Sequence, residues 1–201
     1  MVTDINELLA EIRRLENELE TRWDTLRQQF QYTLEGHRVR FEAGVRRLHR
    51  RYRIGLLRYL GDTPPLHILT APVIYAMFFP LVLLDVSLTL YQHICFRAYG
   101  VPRVVRRDYL VIDRHQLGYL NGIEKLNCVY CGYANGLMAL AQEIVARTEQ
   151  YWCPIKHARR VRGAHSRYPL FADYGDAENY QQAMLRLRND LRAEKSGADV
   201  D

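Results

Sequence analysis

Residues Leu66–Leu84, L-H-I-L-T-A-P-V-I-Y-A-M-F-F-P-L-V-L-L, run 19 residues without Asp, Glu, Lys or Arg. About 20 apolar residues suffice for a helix to cross a bilayer at 1.5 Å per residue. His67 and Thr70 are the most polar members of the run. Past Asp85 it resumes through Val86–Phe96, with Tyr75 and Tyr91 suited to anchor at an interface. Pro72 and Pro80 would bend a helix here, which a membrane tolerates better than an exposed soluble surface. The competing reading is a buried helical hairpin in a soluble domain. Residues 66–96 are expected to be a membrane segment, with membrane lipid as the first partner.

Both flanks of this segment are basic, with six arginines in 46–58 and four in 97–107. Arginines beside membrane segments tend to stay cytoplasmic, and a single span would carry one group across. A re-entrant hairpin turning near Phe79-Pro80 would keep both inside. Its arms would hold about 15 residues each, too short to cross a hydrocarbon core of ~30 Å. Both topologies stay open, and either puts the cysteine-bearing region in the cytoplasm. The net charge of +5 is thus local. Arg46, Arg47, Arg50, Arg51 and Arg53 could attract nucleic acid, but so close to an apolar stretch they suit anionic lipid better, and nucleic acid is disfavoured as a partner.

The segment 1–60 reads as one long amphipathic, coiled-coil-like helix. Ile5, Leu8, Ile12, Leu15 and Leu19 step by three and four, and the stripe goes on through Trp23, Leu26, Phe30, Leu34, Phe41, Val45, Leu48, Tyr52 and Leu56. Thr3 is placed to cap it, with Asp4 and Glu7 in the first turn, while Gly36, Gly44 and Gly55 weaken its later turns. Such a helix can pair with a second copy, dock a protein partner, or fold back on its own domain. The charged opening Asp4–Glu20 does not resemble a signal peptide.

Residues 97–201 are expected to form a small helical domain. Tyr109–Ile112 suits a short strand, and Asp113 could cap a helix through Leu117, Leu120 and Ile123 to Leu126. A second helix is expected over about Tyr133–Tyr151, ended by Trp152-Cys153-Pro154, and a last one over Ala177–Glu194, with Lys195–Asp201 frayed.

Within this domain Cys128 and Cys131 form C-V-Y-C, and after 21 residues Cys153 and His157 form C-P-I-K-H. Each pair could grip one ion from a tight turn, and together they would make a tetrahedral site of three sulfurs and one nitrogen. Four alternatives stand. A structural zinc site comes first, because zinc favours closed sulfur and nitrogen tetrahedra. An iron–sulfur cluster with Cys95 as a further ligand, a CxxC thiol pair, and plain buried cysteines follow. A straight helix of about 18 residues would hold the pairs ~27 Å apart, so the site needs Cys128–Gly136 to form a non-helical knuckle. Gly132, Asn135 and Gly136 permit one.

Catalytic signatures are few. Asp113, His115 and Glu124 share one segment, and His115 could act as a general base, although a surface or hydrogen-bonded histidine is the commoner case. No nucleophile elbow, Gly-rich phosphate loop or HExxH is present. Asp85 is either a functional carboxylate within the apolar run or the marker of its interfacial end.

The motifs L-N-C-V-Y-C-G-Y-A-N-G and Y-W-C-P-I-K-H-A-R resemble an uncharacterised bacterial membrane-protein family over about a third of the chain. The resemblance implies bacterial origin and membrane association and supplies no activity. The expectation is a mostly α-helical protein of a bacterial inner membrane, its soluble part cytoplasmic. It would act as an accessory or scaffold with a structural metal site, or else as a membrane-tethered redox protein using the CxxC or an iron–sulfur cluster.

Overall fold

A computed structural model describes residues 5–30, 32–35 and 38–198, and helices dominate it, in keeping with a mostly α chain. Contacts divide the chain into two units, Met1–Asp62 with Asp113–Val129, and Thr63–Ile112 with Tyr130–Asp201.

In the first unit the expected 60-residue helix is shorter. Helix α1 covers Ile5–Gln29. Thr3, Asp4 and Gly36 lie outside the described residues. Strands β1 (Tyr32–Glu35) and β2 (Arg38–Phe41) then pair antiparallel, with Tyr32 opposite Phe41 and Thr33 opposite Arg40. Helices α2 (Ala43–Arg51) and α3 (Leu56–Asp62) follow. The correction has a sequence cause: Tyr32, Leu34, Val39 and Phe41 alternate at period two on either side of Gly36-His37, the pattern of a hairpin.

The hairpin is held from its own unit. The Val39 amide donates to Gln116 Oε1 at 2.8 Å, beside a single 3₁₀ turn over Arg114–Gln116. An aromatic chain runs Tyr32, Phe41, His49, Tyr119, with successive ring centroids 5.6, 4.8 and 5.1 Å apart. The helix expected from Asp113 is reduced to that one turn. The next helix, α7, begins at Gly122 because Asn121 and Glu124 form a reciprocal capping box. The Glu124 amide donates to Asn121 Oδ1 at 3.1 Å and the Asn121 amide to Glu124 Oε2 at 2.8 Å.

The second unit is organised by the apolar run. Helix α4 (Pro65–Ala76) passes through Met77, itself in right-handed helical conformation, into α5 (Phe78–Tyr91). The chain does not reverse at Phe79-Pro80. Pro80 falls in the first turn of α5, where its missing N–H leaves no gap in the ladder. A π turn, Gln92–Phe96, and the short α6, Arg97–Tyr99, extend the helix to 35 residues, Pro65–Tyr99. Gly100 ends it with φ of 69°, the left-handed conformation a helix stop favours, and the Val101 amide returns to the Phe96 carbonyl at 2.9 Å.

Helix α7 (Gly122–Trp152) is unbroken for 31 residues. Leu81, Leu84, Leu88 and Tyr91 of α5 pack against a core of Phe96, Val101, Val104, Leu137, Leu140, Ile144 and Leu191. Leu191 comes from α8 (Tyr180–Ala198), which starts three residues later than expected and is still helical at Ala198, while 199–201 lie outside the described residues. Tyr109–Ile112 is irregular instead of a strand. Its backbone lies on α7 at Gly136, where an added Cβ would stand 2.7 Å from the Tyr109 carbonyl and 2.9 Å from Leu110 Cα. Gly136 is thus a close-packing glycine within the helix and not the loop signal its Asn135-Gly136 context suggested.

Candidate functional site

The continuity of α7 decides the placement of the four expected ligands. Cys128 and Cys131 sit one turn apart on that helix, Cys128 partly buried and Cys131 exposed. Cys153 lies just past its end, so Cys131 and Cys153 are separated by about 33 Å at 1.5 Å per residue. No knuckle forms at Cys128–Gly136, and among the described residues no group of three or more His, Cys, Asp or Glu is gathered closely enough to hold a metal ion. The zinc tetrahedron, and the cluster with Cys95 as an added ligand, are not assembled.

Each member has another setting. The His157 amide donates to Tyr168 Oη at 2.7 Å, and its ring stacks on Tyr168 at 6.1 Å. Burial and the nearby Glu149 carboxylate push the Cys153 thiol above its usual range, which disfavours the thiolate a metal or a nucleophile needs. Cys128 stands beyond the first turn of α7, past the helix's free amide donors. Glu124, one of the acid–base candidates, is spent on the helix cap, and His115 Nδ1 is buried without a hydrogen-bond partner.

The segment 153–173 is pinned back on α7 and α8 by a network the sequence did not reveal. The Lys156 amide donates to the Ala172 carbonyl at 2.8 Å and the Ala172 amide to the Pro154 carbonyl at 2.9 Å. Arg167 reaches Glu143 at 2.9–3.0 Å, Gln150 at 2.8 Å and Glu194 at 2.9 Å. Arg147 shares Glu143 at 2.8 Å, and His165 Nε2 meets Glu149 at 2.9 Å. Burial works against the Arg167 charge, but Glu194 and Glu143 outweigh it and hold the guanidinium protonated. With Glu143 shared by two arginines and Arg167 spread over three partners, this cluster ties the fold together and offers no free acid–base pair.

Asp85 is the charged residue of the apolar helix that matters most. Arg106 donates to it from both Nη1 and Nη2, the latter at 2.6 Å, and Tyr133 Oη adds a third bond at 2.8 Å. Arg106 belongs to a 3₁₀ turn, Arg106–Asp108, whose other two residues are exposed. Asp85 is therefore fully neutralised within the apolar helix, which leaves no free carboxylate there for catalysis.

In comparisons with known proteins, no family model, no curated protein and no solved structure matches the chain. The class that the fold itself defines is a mostly helical protein in which, among the described residues, one helix, Pro65–Tyr99, is long and apolar enough to cross a membrane.

Proposed function

We propose that this protein is a membrane-anchored scaffold held in the bilayer by Pro65–Tyr99. The observation that carries the reading is exposure: no residue of that helix's most apolar 18-residue stretch is buried. Leu69, Val73, Phe79 and Leu83 are 69–76% exposed. The core helix of a soluble protein hides such residues, whereas a spanning helix turns them to lipid. Leu81, Leu84 and Leu88 face α7 instead, so the helix has a protein side and a lipid side.

The assembly face is α1. Leu8, Ile12, Leu15, Leu19, Trp23, Leu26 and Phe30 are all exposed along one stripe, and their 4-3-4 steps repeat every 11 residues. That period, about 3.67 residues per turn, gives a seam with a gentle right-handed drift. Its occupant is a second copy of this chain, running antiparallel. A parallel, in-register pair would set Glu11 against Glu16 of the second copy, while an antiparallel pair crossing near Leu19 brings the Glu18–Arg22 ion pair of one copy beside that of the other.

A metal-centred role on Cys128, Cys131, Cys153 and His157 would require α7 to open, and the scaffold reading does not depend on it. The test is alkaline carbonate extraction of membranes from cells producing the protein. Retention in the membrane pellet until detergent is added supports the anchor, and release by carbonate alone rejects it.

A further inference from the structure

Against the last turns of the apolar helix lies a basic cleft of about 650 Å³, lined among others by Thr89, Gln92, His93, Arg97, Arg103 and Leu140. We infer that this cleft binds the phosphate headgroup of an anionic phospholipid. The inference rests on the membrane anchor proposed above and adds a lipid specificity to it.

The first argument is charge without compensation. Arg106 is committed to Asp85, but among the described residues no acidic side chain pairs with Arg97 or Arg103. The polar contact of Arg103 is His93, whose Nε2 lies 3.0 Å from Arg103 Nη1 while its Nδ1 lies 2.8 Å from the Thr89 carbonyl. With Nδ1–H donating to that carbonyl, Nε2 is left to accept from Arg103, so His93 aims the guanidinium without neutralising it. Two uncompensated guanidiniums on one cleft suit the oxygens of a phosphate.

The second argument is that the cleft is held in shape. The π turn Gln92–Phe96 shifts the register of the helix at His93 and Arg97. Gln92 is buried and accepts the Val104 amide at 2.7 Å, and Arg147 donates to the Pro102 carbonyl at 2.9 Å. The strap Val101–Arg106 therefore presents Arg103 from a backbone fixed on both sides.

The third argument is position. The exposed apolar surface of the helix ends with Val86, Leu90 and Ile94, and Arg97 stands about one turn further on. A lipid whose phosphate sat in the cleft could run its acyl chains along that surface. Free phosphate offers the same headgroup chemistry but makes no use of the apolar track, so the lipid is the assigned ligand.

Native mass spectrometry of the full chain in mild detergent, with added phosphatidylglycerol or phosphatidylcholine, tests this. The wild type should retain phosphatidylglycerol, and the double variant Arg97→Gln/Arg103→Gln should lose that retention about tenfold or more, with phosphatidylcholine unaffected. The control Arg160→Gln/Arg162→Gln removes the same charge outside the cleft and should behave as wild type. Equal losses in the two double variants, or displacement of the lipid by millimolar inorganic phosphate, would overturn the assignment. A wild type that stays membrane-bound yet holds the two lipids equally well also overturns it and leaves the anchor standing. Extraction of the wild type by carbonate marks instead the failure of the anchor.

Discussion

Arg106 grips Asp85 with both terminal nitrogens across 21 residues of chain, so the one carboxylate within the apolar helix is neutralised from the polar strap that follows it. The Asp85 side chain is only 13% exposed, whereas Arg106 is 47% exposed and can hydrate its far side. The pair therefore matters more for what its loss would strand than for its own attraction.

Arg106→Ala leaves the Asp85 charge with Tyr133 as its remaining partner. A loss of about 2 kcal/mol is expected, toward the lower end for a broken charge-assisted pair because the site is partly hydrated. The double variant Asp85→Asn/Arg106→Ala should regain a good part of that loss. Thermal melts of the four proteins in detergent close the cycle, and an Arg106→Ala melt equal to wild type would show the pair to be inert.

Gly136→Ala drives a methyl group against the Tyr109 carbonyl and Leu110 Cα, both backbone atoms that cannot swing away. A destabilisation of roughly 1–3 kcal/mol is expected from the forced shift. Gly122→Ala meets nothing within 4 Å and should be neutral or slightly stabilising, since alanine restricts the unfolded chain. The two melts should move apart; parallel shifts would argue against the close approach at Gly136.

Ile12→Asp/Leu19→Asp puts charge into the exposed stripe of α1 and should convert a dimer to a monomer in light scattering. Orientation is read separately. In an antiparallel pair, Leu8→Cys chains should cross-link to Phe30→Cys chains on oxidation but not to one another. Efficient linking of Leu8→Cys chains to themselves would indicate a parallel pair.

The Cys153 thiol holds its proton more tightly in the folded chain than in the unfolded one, through burial and then Glu149. Folding stability from this group is thus present at neutral pH and falls as pH rises past the ordinary thiol range. Alkylation of Cys153 should be slow at pH 7 relative to unfolded protein and quicken only as pH rises past the ordinary thiol range. Fast modification at pH 7 would contradict a thiol that holds its proton. The same protein should contain less than one zinc or iron per chain, and a stoichiometric metal would show that α7 opens to bring Cys153 and His157 back to Cys128 and Cys131.

The apolar helix was legible because nineteen uncharged residues have few other uses, and Pro80 misled only about a chain reversal. The stripe of α1 was legible through Phe30. Beyond it, Leu34 and Phe41 extend the same three-and-four spacing by coincidence while their neighbours alternate at period two, and the hairpin passed for more helix. Asn121-Gly-Ile-Glu124 carries the capping signature that marks the true start of α7, and it falls inside the helix expected from Asp113. Gly132 and Gly136 are buried in that helix, and a sequence does not distinguish glycine used for close approach from glycine used to turn. Only a loop at these glycines would draw the cysteine pairs together, and the sequence permits one without requiring it. The Glu143–Arg147–Arg167–Glu194 network was out of reach, because it joins residues from three separate segments through side-chain geometry alone.

The most direct measurement places nitroxide labels at residues 69, 73, 79 and 83, one at a time, in protein reconstituted into nanodiscs. Lipid exposure means collision with dissolved oxygen and shielding from a water-soluble nickel complex at all four positions. Free access of the nickel complex to these sites would place the apolar face in water and contradict the membrane anchor.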